Sequence, residues 1–154
     1  MWWTRIREIV SFSGKSVVEI GASMGLLCSF ALLEGARASR GIDGDAAIVD
    51  AAREIARVLG VAPAFEVRCA DAAEPWEDRL TGADLAVALS VREWAGDHER
   101  LLRFLGRHRE VLYEGHDAVE IEEQRLRHMG FTDISLVLMT ERHRPLLYAC
   151  KREA

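Results

Sequence analysis

The segment from Ser16 to Ala36 reads SVVEIGASMGLLCSFALLEGA. A short apolar run ends at Ile20, a turn of small residues follows from Gly21 through Ala22 and Ser23 to Gly25, and apolar residues then recur at helical spacing. A strand that enters a helix through so tight a turn leaves the first N–H groups of the helix unpaired. It also sets the positive end of the helix dipole at the strand's C-terminal edge, where nucleotide-like ligands bind. Asp43 follows about 20 residues later at the end of a second strand-like run, where a carboxylate can accept hydrogen bonds from both hydroxyls of a ribose. Asp71 ends a third run, Ser90 a fourth and Glu114 a fifth, so chemistry-bearing side chains gather at one edge of the predicted sheet.

The elements that must position these residues alternate. Trp2 to Val10 predicts an opening helix, and the predicted first strand, turn and helix come next. A weak second strand leads into GIDGD. Asp45 to Leu59 repeats apolar residues at Ala46, Val49, Ala52, Ile55, Ala56 and Leu59, which predicts an amphipathic helix stopped by Gly60. AFEVRC is a third strand, Ala83 to Ser90 a buried fourth, and VREWAGD a loop. Asp97 caps a helix to about Gly106. REVLYE is a fifth strand, followed by a helix from about Asp117 to Met129, and FTDISLVLMTERHRPLLYACK folds back as a hairpin. Five strands separated by helices with right-handed crossovers specify an α/β three-layer sandwich around a mostly parallel sheet. The closing hairpin brings the sheet to seven strands and adds an antiparallel one.

At 154 residues, 49% of them apolar, the chain is expected to form a single domain, 1-154, with an N-terminal helical segment at 1-14 and a core at 15-154. No run approaches the roughly 20 apolar residues that span a bilayer, and Arg5, Arg7 and Glu8 interrupt any export signal. A cytoplasmic protein without membrane contact is therefore expected. The net charge of −5 argues against a nucleic-acid partner, because phosphate binding normally calls for a basic surface. Cys28, Cys69 and Cys150 are scattered and are expected to be buried thiols. His98, His108, His128 and His143 read as surface residues, and no metal-ligand spacing occurs. Trp2 and Trp3 are expected to dock as a helix onto the domain, or else to form a lid or a contact with a second copy or a partner chain.

These motifs, VVEIGASMG, Asp43, Asp71 and ALSVREW, fall in the order of a class I (Rossmann-like) S-adenosylmethionine-dependent methyltransferase, which the chain resembles along nearly its whole length. Glu19, Gly21 and Gly25 match the family's first motif, and Ser23 replaces its middle glycine, with less freedom for a left-handed backbone. The resemblance implies strand order 3-2-1-4-5-7-6 and S-adenosylmethionine as cofactor, with S-adenosylhomocysteine as product. It implies that Glu19, Gly21, Ala22, Ser23, Gly25, Asp43, Asp71, Ala72 and Ser90 bind that cofactor. Asp43 would hold the ribose, and Asp71 with the backbone at Ala72 would read the adenine edge. Taken singly, Asp43 and Asp71 read equally as helix caps or solvated acids. A nicotinamide-dependent dehydrogenase shares the first unit but asks for G-x-G-x-x-G, and the chain has Gly21, Ser23 and Leu26 in those places.

Methyl transfer is chiefly a matter of holding donor and nucleophile in line, with a base where the nucleophile must lose a proton. Candidates are His116, whose imidazole titrates near neutrality or which simply begins a helix, and the strand-end carboxylates Glu114 and Glu93. Arg92 and Trp94 are placed on the substrate side; Trp94 walls the acceptor or covers the adenine. Arg142 and Arg144 fall in the hairpin turn, where they contact an anionic acceptor or are solvated. With about 15 residues before the first strand and no long insertion, the acceptor side is expected to be open. The expected activity is methylation of oxygen or nitrogen on a small molecule or glycan. The alternative is a non-catalytic module of the same fold that binds cofactor or a partner protein.

Overall fold

The computed structural model describes residues 2–152, and for Arg92 and Glu93 the backbone alone. In chain order the elements are α1 (Trp2–Ile9), β1 (Ser16–Ile20), α2 (Leu26–Leu33), β2 (Ala38–Asp43), α3 (Ala46–Val58), β3 (Phe65–Cys69) and β4 (Leu85–Ala88). They continue with α4 (Arg92–Ala95), α5 (His98–Leu105), β5 (Glu110–Glu114), α6 (Val119–His128), β6 (Asp133–Met139) and β7 (Pro145–Cys150). The seven strands form one sheet in the order β3-β2-β1-β4-β5-β7-β6, as the resemblance implied. β1 to β5 run parallel, and β7 enters antiparallel between β5 and β6.

β1 is the central strand, and every one of its residues is buried. A parallel strand covered by helices on both faces needs apolar side chains on both, which is why SVVEI does not alternate with polar residues. Val17 packs with Leu27 and Ala31 of α2 and Ile6 of α1 on one face. Val18 and Ile20 pack toward Leu101, Phe104 and Leu105 of α5 and Leu126 of α6 on the other. Val49 and Ala52 of α3 join the first face against Val67. Each predicted crossover thus finds its layer.

α1 is held by Ile6, which is wholly buried and worth about 2 kcal/mol. Trp3 adds a second anchor between Phe12 and Phe30, with ring centroids 5.3 and 5.2 Å away. Trp2 instead stays 43% exposed. The two tryptophans therefore do different things: Trp3 docks the helix, and Trp2 faces the edge of the sheet described below.

Several local expectations change. VREWAGD contains the helical turn α4, closed by Gly96 at φ +65°. α6 starts at Val119, later than Asp117, because the Asp117 carboxylate pairs with Arg125 at 2.5 Å. The buried Glu122 carboxylate accepts the backbone N–H groups of His116 and Asp117 at 2.8 and 3.0 Å. His108 is only 4% exposed; its ring lies 4.6 Å from that of Phe104, and burial lowers its pKa. His98 is half-buried, with Nε2 3.1 Å from the Tyr113 hydroxyl. Of the three thiols only Cys28 is buried, while Cys69 is exposed and Cys150 intermediate. Cys69 ends an outer strand and Cys150 lies beside the sheet's other edge, so neither gains the two-sided cover of β1.

Candidate functional site

The turn after β1 takes its shape from backbone conformation. Gly21 has φ +67°, and a Cβ there would come within 2.2 Å of Val91 Cγ1. The turn thus packs against the chain leaving β4 in a way no side chain would allow. Ser23 adopts φ +48°, so the residue that departs from the glycine pattern takes the left-handed conformation nonetheless. Gly25, at φ +66°, is the N-cap of α2 and offers no side-chain cap, leaving the first N–H groups of that helix facing the sheet edge. The Ala22 N–H donates to the Ile42 carbonyl at 2.8 Å, which ties the turn to β2.

Asp43 stands at the join. Its Oδ2 accepts the Ser23 N–H at 2.9 Å and its Oδ1 accepts the Asp45 N–H at 3.1 Å. A carboxylate oxygen has two lone pairs, so both oxygens keep acceptor capacity toward solvent. The helix cap is its neighbour Asp45, which accepts from Ala47 and Ile48; Asp43 is not a cap. Asp71 is exposed, and its Oδ1 closes a local turn by accepting the Ala73 N–H at 2.8 Å. Asp43, Gly44, Asp71, Ala72 and Trp94 line one cavity of about 790 Å³. Trp94 belongs to this side: a Cβ on Gly44 would lie 2.8 Å from its Nε1. Of the two places expected for it, the one beside Asp71 is where it lies.

One residue that the sequence did not single out organises that cavity. Arg100 donates to the carbonyls of Ala72 (2.8 Å) and Glu74 (2.6 Å), and its other N–H groups grip Glu77 at 2.5 and 2.6 Å. Its guanidinium lies 5.0 Å from the centroid of the buried Trp76, whose ring is 6.3 Å from that of Trp94. Nothing in the local sequence marks Arg100, since its partners lie 23 to 28 residues away.

Glu19 lies beneath the turn, 4% exposed, with Oε2 lacking a hydrogen-bond partner. Burial pushes its carboxyl up to about 8, and burial also raises the neighbouring Cys28 thiol. A neutral acid is the form that an apolar site tolerates.

A second cavity, of about 650 Å³, opens at the ends of β4, β5 and the hairpin. Its floor carries Ser90 and Glu114, with the Ser90 hydroxyl 3.0 Å from both carboxylate oxygens. Arg144 Nη1 stands 3.7 Å from Glu114 Oε1. Ser90 reaches this position with φ +54°. The walls are Trp2, Leu89, Leu138, Met139 and Leu146, with Arg5, Glu141 and Arg142 around them. This cavity is thus bordered by α1 and by the hairpin turn. A register shift falls between Leu136 and Leu138 of β6, beside the Leu138 and Met139 that line it. His116 lines neither cavity. The side chains proposed at Arg92 and Glu93 lie outside the described residues. Among those described, no group of three or more His, Cys, Asp or Glu is placed to hold a metal ion, and no helix is long and apolar enough to cross a membrane.

No protein-family model matches the chain, and no curated protein matches its sequence. Solved structures do match. The ribosomal protein L11 methylase of Lactobacillus delbrueckii subsp. bulgaricus is 22% identical, with a TM-score of 0.74 over 98% of this chain and 77% of that one. A Pyrococcus horikoshii protein assigned to RNA methylation is 16% identical, with a TM-score of 0.69 over 98% and 82%. Magnesium protoporphyrin IX methyltransferase of Synechocystis PCC 6803, with S-adenosylmethionine bound, is 16% identical, with a TM-score of 0.71 over 98% and 76%. The chain has the class I S-adenosylmethionine-dependent methyltransferase fold.

These neighbours correct one expectation. The exclusion of nucleic acid on the strength of net charge does not hold, because the same fold serves a protein assigned to RNA methylation. Net charge sums the whole surface, whereas an acceptor meets one face of it.

Proposed function

We propose that the chain is a methyltransferase that uses S-adenosylmethionine to methylate oxygen or nitrogen of a small-molecule or glycan acceptor. The observation that carries this reading is the Asp43 carboxylate. It is aimed by the Ser23 and Asp45 N–H groups and borders a cavity walled by the ends of β2, β3 and α4. Asp43 binds both ribose hydroxyls. Asp71 and the backbone at Ala72, fixed by Arg100, take the adenine edge, and the Trp94 indole lies along the base. The α2 N-terminus, the Gly21–Gly25 turn, Glu19 and Ser90 carry the remainder of the cofactor toward the second cavity. Bound there, the cofactor supplies a methyl carbon made electrophilic by its sulfonium.

Glu114 takes the catalytic place we assign to a base. It is 8% exposed, held by Ser90, and forms the floor of the cavity in which an acceptor would sit. His116 keeps its backbone tied to Glu122 and lines neither cavity, so Glu114 is preferred to it. Exclusion of water by the apolar walls strengthens the carboxylate's hold on an O–H or N–H group.

Titration calorimetry of the full chain with S-adenosylhomocysteine tests the reading. Saturable binding is expected, weakened in Asp43→Ala by about 2–3 kcal/mol through loss of paired charge-assisted hydrogen bonds. Absence of binding in the wild type would remove the enzyme reading and leave a module of methyltransferase fold.

A further inference from the structure

The second cavity is asymmetric in a way that specifies its occupant. One end is the Ser90–Glu114 pair, an anionic acceptor of hydrogen bonds at the floor. The middle is apolar, with Leu89 and Leu138 half-buried, Leu146 buried, and Trp2 and Met139 left 43% and 48% exposed. Exposed large side chains that border one concavity offer area for an apolar ligand to cover. Arg142 also lines the cavity. Among the described residues it makes no hydrogen bond or ion pair, whereas Arg5, another lining residue, is shared with Glu8 at 3.0 Å. Arg144, from the same turn, is already directed at Glu114. The cavity lining therefore combines one guanidinium with no partner among the described residues, an apolar slot and one buried carboxylate, with Glu141 beside Arg142.

We infer that this cavity takes an apolar, ring-bearing organic acid whose hydroxyl or amino group faces Glu114 and whose anionic group faces Arg142. The inference rests on the methyltransferase reading for what happens to the ligand, though not for whether it binds. As the acceptor's oxygen or nitrogen forms its bond to the methyl carbon, the carbon–sulfur bond breaks and its electron pair stays on sulfur, leaving a neutral thioether. The O–H or N–H proton passes to the Glu114 carboxylate and then to solvent. The Arg142 guanidinium suits an anionic group because its planar donors meet a carboxylate or phosphate in pairs. A neutral acceptor would leave it with water alone. A positively charged acceptor would meet it as a like charge.

The discriminating probes are 3-hydroxybenzoate and 3-aminobenzoate against phenol and aniline, added to the full chain saturated with S-adenosylhomocysteine and followed by calorimetry and Trp2-sensitive fluorescence. Each acid is expected to bind at least about fivefold more tightly than its neutral counterpart. Arg142→Gln should erase that preference while leaving the affinity for S-adenosylhomocysteine as it was. Met139→Glu should weaken all four probes. Equal binding of acids and neutral rings, or an acid preference that survives Arg142→Gln, would overturn the inference. So would a short RNA oligonucleotide displacing the probes at lower concentration than any ring acid does. Should S-adenosylhomocysteine fail to bind while the Arg142-dependent acid preference persists in its absence, the cavity assignment stands and the methyltransferase reading falls. The opposite pattern separates them the other way. Circular dichroism of each variant guards against reading misfolding as lost affinity.

Discussion

Along one edge of the sheet, the stretch from β3 to β1 and the stretch from β4 to β6 meet at the first turn, yet they are made by different means. The first is shaped by the main chain: the turn at Gly21 to Gly25, the left-handed Ser23, the carbonyls of Ala72 and Glu74, and two N–H groups gripping Asp43. The second is shaped by side chains brought from far apart, with Trp2, Leu89, Glu114 and Leu138 converging on one cavity. Backbone geometry repeats wherever a ligand is constant, whereas side-chain walls can be exchanged without disturbing the sheet. The contrast is what the proposed division into a cofactor half and an acceptor half would require of a single edge.

The contrast can be broken most forcefully at Gly21. A methyl group there meets Val91 at 2.2 Å, on a residue already at φ +67°. Gly21→Ala is expected to destabilise the chain by about 2–4 kcal/mol and to bring S-adenosylhomocysteine binding below detection. An unchanged denaturant midpoint would show that the turn is not the rigid half. On the other half, Glu114→Gln is expected to lower methyl-transfer turnover about a hundredfold at unchanged affinity for S-adenosylhomocysteine. His116→Ala should lower it by less than about threefold. Should the histidine variant lose more than the glutamate one in the same turnover assay, the base assignment is reversed.

The third expectation concerns Glu19, buried between the halves. Its folded carboxyl is pushed up to about 8 from an ordinary 4.5. Between those values the unfolded chain releases this proton and the folded chain keeps it, so unfolding stability falls as pH rises from about 4.5 to 8 and levels outside that window. Glu19→Gln cannot ionise. Urea melts at pH 5 and pH 8 should show the variant losing less stability than the wild type, by at most about 1.4 kcal/mol per pH unit. Parallel losses in the two proteins would mean that Glu19 is ionised in the fold.

How far the sequence reached follows the same division. β1, its turn, Asp43 and the alternation of strands with helices were legible because strand periodicity, small residues and sheet-end acids are local signals, whereas the order of the seven strands came from the family resemblance. The Asp97 cap was legible for the same reason, and it accepts the Arg100 N–H at 3.0 Å. Tertiary contacts hid the remainder. Trp94 reads either as a wall of the acceptor or as a cover for the adenine, and only the approach of that segment to Gly44 places it in the cavity of Asp43 and Asp71. His108 looks like a surface residue in GRHRE until Phe104 covers it. Arg100 looks like one more charge on an amphipathic helix. The register shift next to Leu138 and Met139 has no marker in SLVLM. Net charge misled because it has no location.

Arg100 has a consequence of its own. The loop from Ala72 to Glu77, which borders the Asp43 cavity, contains little regular structure, and free loops of this kind lose conformational entropy when a ligand orders them. Here one guanidinium, donating to two carbonyls and one carboxylate, has already imposed that order during folding. The loop should therefore exchange its amide hydrogens slowly even with the site empty. Cofactor association on this side would then be governed by contact formation, with little rearrangement to wait for.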